Sequence, residues 1–298
     1  MDRIGFIGLG NMGRPMASNL VRKGFPLVAF DVKPGPLRQL ADLGARAAAS
    51  CAAVAGDCDL VVTMLPDSAS VEEVLTAPDG VLAHLHSGGL VMDMSTIDPL
   101  LTDRVAAAAV DKGIAFVDAP VGRLASHAER GESLFMVGAT PEAFARVTPL
   151  LEAMGTAIHH CGSVGSGIRT KLVNNYLAIV SCGFNAEALA LSQRFGLSLE
   201  KTLEVVHGTT ATNGQLKIAW AAKVLKGDTE PGFTIDLAHK DLTLIVDAAA
   251  AAGVPVPIAA AARGAFTAAR DEGFGAKDFS AMVDVLCDRA RITRPRLP

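Results

Sequence analysis

The sequence predicts a doubly wound α/β domain followed by an all-α domain, the two joined by a long helix. Three observations predict this. A glycine-rich turn sits between the first apolar run and the first helical pattern. Apolar runs then alternate with helical stretches up to about residue 162. After Gly162–Gly167 only helical patterns follow. Alternation of this kind argues for βαβ units and a largely parallel sheet.

The elements follow in order. Residues 2–8 read as a buried strand, and Asn11 to Lys23 as a helix that Gly24 ends. A second strand covers 26–30, and apolar runs at 59–63, 89–93, 114–117 and 134–137 read as further strands. Stretches 98–111 and 141–154 read as helices between them. Helices are then expected at 167–195, 198–207, 214–226, 235–252, 257–271 and 279–291. The alanine content of this half favours helix. Gly196, Gly227, Pro231 and Gly253 mark turns. The boundary is placed at residue 163, giving an N-terminal domain of 1–163 and a helical substrate and oligomerisation domain of 164–298.

Composition narrows the function. The chain has 298 residues, half of them hydrophobic and 19% charged, which suits a folded protein with a sizeable core. A formal net charge of −4 does not suggest nucleic acid as a partner, which usually demands a basic face. The start lacks the apolar run of a signal peptide, and no uninterrupted apolar stretch is long enough for a membrane span, so a cytoplasmic location is expected. The five cysteines, Cys51, Cys58, Cys161, Cys182 and Cys287, show no metal-ligand spacing, so no metal is expected.

Gly8-Leu9-Gly10-Asn11-Met12-Gly13 matches GxGxxG. The motif alone is weak, but here it follows a strand and opens a helix, as a Rossmann-type dinucleotide site requires. Its glycines permit a tight turn and close approach to a pyrophosphate, which the helix N-terminus then attracts. The competing reading is a glycine-rich turn without a ligand. Asp31 ends the second strand at the expected distance of about 20 residues, where a carboxylate accepts from ribose hydroxyls and repels a 2′-phosphate. NAD is therefore expected over NADP, although Lys33 and Arg38 lie close in sequence. Leu65 and Pro66 follow the strand at 59–63 and are expected against the cofactor. Ser95 and Thr96 follow the strand at 89–93 and are expected near the nicotinamide and substrate. Ser95 or Thr96 capping the next helix is the plainer reading, and both roles can coexist.

Lys171, Asn174, Asn175 and Ala178 lie at i, i+3, i+4 and i+7, so they share one helical face. An ammonium and two amides within an apolar helix need partners, and a ligand is a natural one. Hydride delivery to a carbonyl creates an alkoxide that needs a proton, and a lysine can stabilise that charge and supply the proton. Asn174 and Asn175 can orient the substrate. Gly122 and Arg123 follow another strand, and the guanidinium suits an anionic substrate tail. The plainer reading of Arg123 is a surface partner for Glu129 or Glu132.

Together these segments resemble the β-hydroxyacid dehydrogenase family, which includes 3-hydroxyisobutyrate dehydrogenases. The resemblance covers essentially the whole chain and rests on GFIGLGNMGRPMASNL (5–20), MLP (64–66), DMST (93–96), DAPVGR (118–123), GSGIRTKLVNN (165–175) and AHKDL (238–242). It implies Lys171 as acid/base, and Ser95, Thr96, Asn174 and Asn175 at the substrate. It also implies that Lys240 approaches the cofactor, with Asp241 supporting local structure, in a homodimer or homotetramer. The chain departs from the family's usual DAPVSGG loop, with Gly122, Arg123 and Leu124 in place of Ser-Gly-Gly. In this it looks most like the sulfolactaldehyde-reducing branch, in which the arginine grips a sulfonate. A close relative there has serine where Ala178 stands. A short aldehyde bearing a sulfonate, reduced with NADH, is the leading expectation. A semialdehyde or 3-hydroxyacid with a carboxylate is the alternative. Some relatives without the lysine are non-catalytic binding proteins, and the presence of Lys171 argues against that reading.

Overall fold

The computed structural model describes residues 2–298. The chain packs as two units, the first ending at Lys171 and the second running from Leu172 to Pro298. The sequence boundary at 163 falls just after the last strand, and the division by packing falls within the helix that follows.

The first unit is built on strands β1 (Ile4–Ile7), β2 (Leu27–Phe30), β3 (Arg46–Ala47), β4 (Leu60–Thr63), β5 (Leu90–Asp93), β6 (Ala115–Asp118), β7 (Val121–Gly122), β8 (Ser133–Gly138) and β9 (Gly155–Gly162). Helices α1 (Gly13–Arg22), α2 (Pro34–Asp42), α3 (Cys51–Asp57), α4 (Ser68–Thr76), α5 (Val81–His84), α6 (Pro99–Val110), α7 (Ala125–Glu129) and α8 (Pro141–Met154) connect them. The sheet order is β3-β2-β1-β4-β5-β6-β8-β7, with β9 added to β8. Strands β1 to β6 pair in parallel, and β8 runs antiparallel to β6 and β7. This is the Rossmann arrangement, with helices on both faces. Strands β1, β4 and β5 are buried along their whole length, as a doubly covered parallel sheet requires. Side chains of alternating parity fill two separate cores, one around Phe6, Leu60 and Met92 and the other around Ile7, Val61 and Val91.

Strand β9 is absent from the sequence reading for a physical reason. Gly155–Gly162 reads GTAIHHCG, and it is a half-exposed strand paired in parallel with β8, so it carries no apolar run.

The long helix α9 (Ser166–Arg194) crosses the division between the units. The second unit continues with α10 (Leu199–His207), α11 (Ile235–Ala251), α12 (Pro257–Ala269) and α13 (Met282–Ala290) around fully buried Trp220 and Phe266. The helix expected at 214–226 forms over 214–222, π-wound at Gln215–Trp220, and breaks at 223 before a 3₁₀ turn, Val224–Lys226. Gly214 offers no side-chain cap, and Lys223 departs from helical geometry at φ −127°, ψ −100°. Buried Asp278 accepts from the amides of Gly232 and Phe233 and so fixes the approach to α11.

Candidate active site

Sheet register places the ends of five strands in one row. Phe30, Ile7, Thr63, Asp93 and Asp118 are successive partners across β2, β1, β4, β5 and β6. Every segment leaving the carboxyl edge of this row contains an expected site residue: Asp31, Gly8, Leu65 and Pro66, Ser95 and Thr96, then Gly122 and Arg123. The sheet reverses its winding between β1 and β4, and the crevice at such a switch point is where doubly wound folds bind ligands.

The glycine loop is shaped by close approaches. A Cβ on Gly13 would lie 1.9 Å from the carbonyl oxygen of Gly8, so nothing larger fits there. Gly8, at φ +96°, packs on the carbonyl of Met64. Gly10 faces open space and is exposed, as is Asn11. Met12 begins α1 without a side-chain cap, and the first turn holds no acidic residue. The Arg14 amide donates to the Gly10 carbonyl at 3.1 Å and Pro15 has none, so Met12 and Gly13 supply the amides that an anion would meet, and the loop fits a dinucleotide pyrophosphate. Asp31 accepts the Leu9 amide at 2.6 Å on one oxygen and the Lys33 amide at 2.6 Å on the other. Each oxygen keeps a lone pair for a ribose hydroxyl.

At the next strand ends, buried Asp93 accepts from Thr63 Oγ1 at 2.8 Å and Ser95 Oγ at 2.6 Å. Ser95 Oγ in turn accepts the Leu65 amide at 2.9 Å. Ser95 is thus a buried tie between two strand ends and holds Leu65 in place. Leu65 and Thr96 are half-buried, and Pro66 is exposed.

Lys171 Nζ donates to the carbonyl of Val121 at 2.7 Å. Gly122 is buried in β7 against Leu134. Arg123 is exposed and takes φ +70°, a left-handed conformation that residues other than glycine rarely adopt. Its Nη1 donates to the carbonyl of Glu132 at 2.5 Å and to Thr156 Oγ1 at 3.0 Å. The Glu132 carboxylate is taken by Arg130 at 2.8 Å. Arg123 therefore lies along the ends of β8 and β9, on backbone and hydroxyl oxygens and not on a carboxylate.

In the second unit, Asn174 Nδ2 donates to Asn175 Oδ1 at 3.0 Å, and Asn175 Nδ2 to Asp241 Oδ2 at 2.6 Å. Lys240 Nζ lies 3.2 Å from Asp241 Oδ1. Asn175 and Asp241 are buried, whereas Asn174 is exposed and Lys240 half-buried. Two expected site residues, Asn175 and Lys240, are thus joined through one carboxylate. Ala178 is half-buried, and its carbonyl accepts from Gln215 Nε2 at 3.3 Å. Gln215 Oε1 is buried with no partner.

Sequence reading missed Asp118 and Gln215. Asp118 is buried at the end of β6 and accepts the amides of Gly165 and Ile168 at 2.6 and 2.7 Å. Burial pushes its carboxyl up to about 6, against these hydrogen bonds. Those partners lie far along the chain, so no local signal marks it. Gln215 sits on the π-helical turn, which the helical pattern at 214–226 does not reveal. Among the described residues no group of three His, Cys, Asp or Glu could hold a metal ion, and no helix is long and apolar enough to cross a membrane.

Known proteins share this architecture. A family model for the NAD binding domain of 6-phosphogluconate dehydrogenase matches residues 3–162. One for the NAD-binding of NADP-dependent 3-hydroxyisobutyrate dehydrogenase matches residues 165–286. The chain is 44% identical to 3-sulfolactaldehyde reductase of Escherichia coli (strain K12), over 95% of each chain. It is 37% identical to 2-(hydroxymethyl)glutarate dehydrogenase of Eubacterium barkeri, over 95% of this chain and 94% of the relative. The solved 3-hydroxyisobutyrate dehydrogenase of Mycobacterium tuberculosis with L-serine aligns at a TM-score of 0.87 and 33% identity, over 96% of this chain and 99% of that one. With the glycine loop at the switch point and relatives matching nearly end to end, the chain belongs to the β-hydroxyacid dehydrogenases of the 3-hydroxyisobutyrate dehydrogenase type and is an NAD-dependent oxidoreductase.

Proposed function

We propose that this enzyme reduces 3-sulfolactaldehyde to 2,3-dihydroxypropane-1-sulfonate with NADH. The observation that carries this is the loop at 121–123. Its Val121 carbonyl holds the Lys171 ammonium at 2.7 Å, and Arg123 stands two residues on. One loop thereby brings a proton donor and an anion receptor into the same reading. The bound dinucleotide supplies the hydride. Lys171 then donates its proton to the oxygen that gains charge and is reprotonated from water; in the oxidative direction the neutral amine takes that proton back. Gly122 and Arg123 receive the sulfonate, the guanidinium exchanging Glu132 and Thr156 for sulfonate oxygens. Asn174 and Asn175 orient the substrate hydroxyl, with Ala178 bordering the same helical face. Ser95 and Thr96 border the reacting end. The 44% identity to a reductase of this substrate supports the assignment.

Asp31 selects NADH over NADPH, because a carboxylate that accepts ribose hydroxyls repels a 2′-phosphate. Gly8, Gly10, Asn11, Met12 and Gly13 hold the pyrophosphate, Leu65 and Pro66 pack on the cofactor, and Lys240 is a further cofactor residue. Self-association as a dimer or tetramer is part of the same reading. Val173, Leu177, Phe184 and Leu191 form an exposed apolar stripe at helical spacing along α9, and exposed Phe195 follows just past its end. Light scattering on the purified protein tests it, and a monomer at micromolar concentration refutes it.

The second reading is a carboxylate substrate, such as succinic semialdehyde or a 3-hydroxyacid. It is favoured by the 37% identity to 2-(hydroxymethyl)glutarate dehydrogenase of Eubacterium barkeri, named for a substrate bearing carboxylates. The deciding experiment compares initial rates of NADH oxidation with 3-sulfolactaldehyde and succinic semialdehyde, for wild type and Arg123→Ala. A sulfonate preference that collapses in the variant is expected. A carboxylate preference, or one indifferent to Arg123, overturns the sulfonate assignment.

A further inference from the structure

We infer that Asp118 is a positioning residue for Lys171, setting the start of α9 so that the ammonium meets the carbonyl of Val121. The first amides of a helix lack intrahelical partners, and a carboxylate placed there is favoured by the helix dipole. Asp118 serves this end of α9 with both oxygens, Oδ1 on the Gly165 amide at 2.6 Å and Oδ2 on the Ile168 amide at 2.7 Å. Other helices of the chain are capped by their own preceding residue, as Ser50, Asp67 and Thr140 do for α3, α4 and α8. Those caps fix a helix to itself. Asp118 instead fixes α9 to the row of strand ends that positions the rest of the site.

The packing is made for this contact. A Cβ on Gly138 would lie 2.3 Å from Asp118 Oδ1, and one on Gly167 would lie 2.8 Å from Oδ2. Ile168 and Lys171 are three residues apart and share a helical face. The segment Asp118–Val121 therefore grips that face twice, with a carboxylate at Ile168 and a carbonyl at Lys171. A slip of α9 by one residue would turn it by about 100° and carry the ammonium off the loop. Burying a carboxylate is costly, and an ordinary exposed cap would start the helix more cheaply. Its two-point grip beside Lys171 is what the buried group adds.

This inference rests on Lys171 acting as the acid/base, and a double-mutant cycle separates the two. Wild type, Asp118→Asn, Lys171→Ala and the double variant are assayed with 3-sulfolactaldehyde and succinic semialdehyde, with NADH affinity read by fluorescence. Asp118→Asn keeps one acceptor and turns a donor towards the other amide. It is expected to lower kcat by about tenfold or more, with NADH affinity changed by less than about threefold, and to have almost no further effect once Lys171 is alanine. Equal losses in both backgrounds, or near-normal kcat in Asp118→Asn, overturn the inference. Near-normal turnover in Lys171→Ala overturns the acid/base reading instead. If Asp118→Asn does not fold, Asp118→Ser, whose hydroxyl accepts from one amide, goes through the same cycle. Hydrogen exchange on the wild-type enzyme reads the grip directly, with protected Gly165 and Ile168 amides expected and exchange at the open-chain rate refuting it.

Discussion

The two units place their polar groups by different means. In the first, backbone register does the work. Phe30, Ile7, Thr63, Asp93 and Asp118 stand in one row because five parallel strands pair residue for residue. In the second, a run of side chains does it, from Asn174 through Asn175 and Asp241 to Lys240. A row set by register is held by many backbone hydrogen bonds and survives the loss of one side chain. A side-chain run across two helices is cooperative, and breaking one member leaves a buried neighbour unsatisfied.

The largest expected effect lies where the division between the units falls, at Lys171. Lys171→Ala should lower kcat by about 10²–10⁴-fold while NADH affinity stays nearly unchanged. Steady-state rates with fluorescence titration check this. Parallel loss of NADH affinity would mean the residue holds the first unit together.

The cooperativity of the second unit is tested at Asp241. Asp241→Ala orphans the buried Asn175 amide and removes one partner of Lys240, and should cost about 1–3 kcal/mol of stability by thermal melting. Asn174→Ala, at the exposed end, should cost much less. Equal costs would break the contrast between the two units.

Asp31→Ala probes the first unit at one side chain. NADH binding should weaken by about tenfold, consistent with losing a charge-assisted hydrogen bond, and discrimination against NADPH should shrink. The variant should remain folded, because register holds the row. A smaller change comes from Arg123→Gly. Relief of the left-handed backbone favours the fold by about 1 kcal/mol, while kcat/KM for the sulfonate falls and that for a neutral aldehyde holds.

The smallest effect is a pH dependence of stability. The Asp118 carboxyl is raised to about 6 by burial, so the folded state binds this proton more tightly than the unfolded chain. Its contribution is fully present below about pH 4 and is lost as pH rises through about 6. The melting temperature of wild type relative to Asp118→Asn should therefore decline between those values. A difference that is flat with pH would show that the group titrates normally.

Much of the first unit was legible in the sequence because its signals are local. GxGxxG lies between one strand and one helix, and Asp31, Leu65 and Ser95 each follow their strand directly. Strand β9 was not legible, since a half-exposed strand reading GTAIHHCG needs no apolar run. The face of Lys171, Asn174 and Asn175 was legible from spacing on one helix. The partners were not. Val121 for Lys171, Asp241 for Asn175 and Gly165 for Asp118 are all joined across long stretches of chain. Arg123 shows the limit differently. Its residue type pointed to an anion, but its left-handed backbone and its contact with Thr156 depend on how β7, β8 and β9 pack.

The three loop glycines are under different kinds of selection. Gly13 meets a backbone oxygen and Gly8 another, whereas Gly10 meets nothing. A mutational scan read out by cellular abundance alone should reject side chains at Gly8 and Gly13 and accept them at Gly10. The same library read out by turnover should reject all three. The gap between the two readouts at Gly10 measures what the cofactor alone demands of this chain.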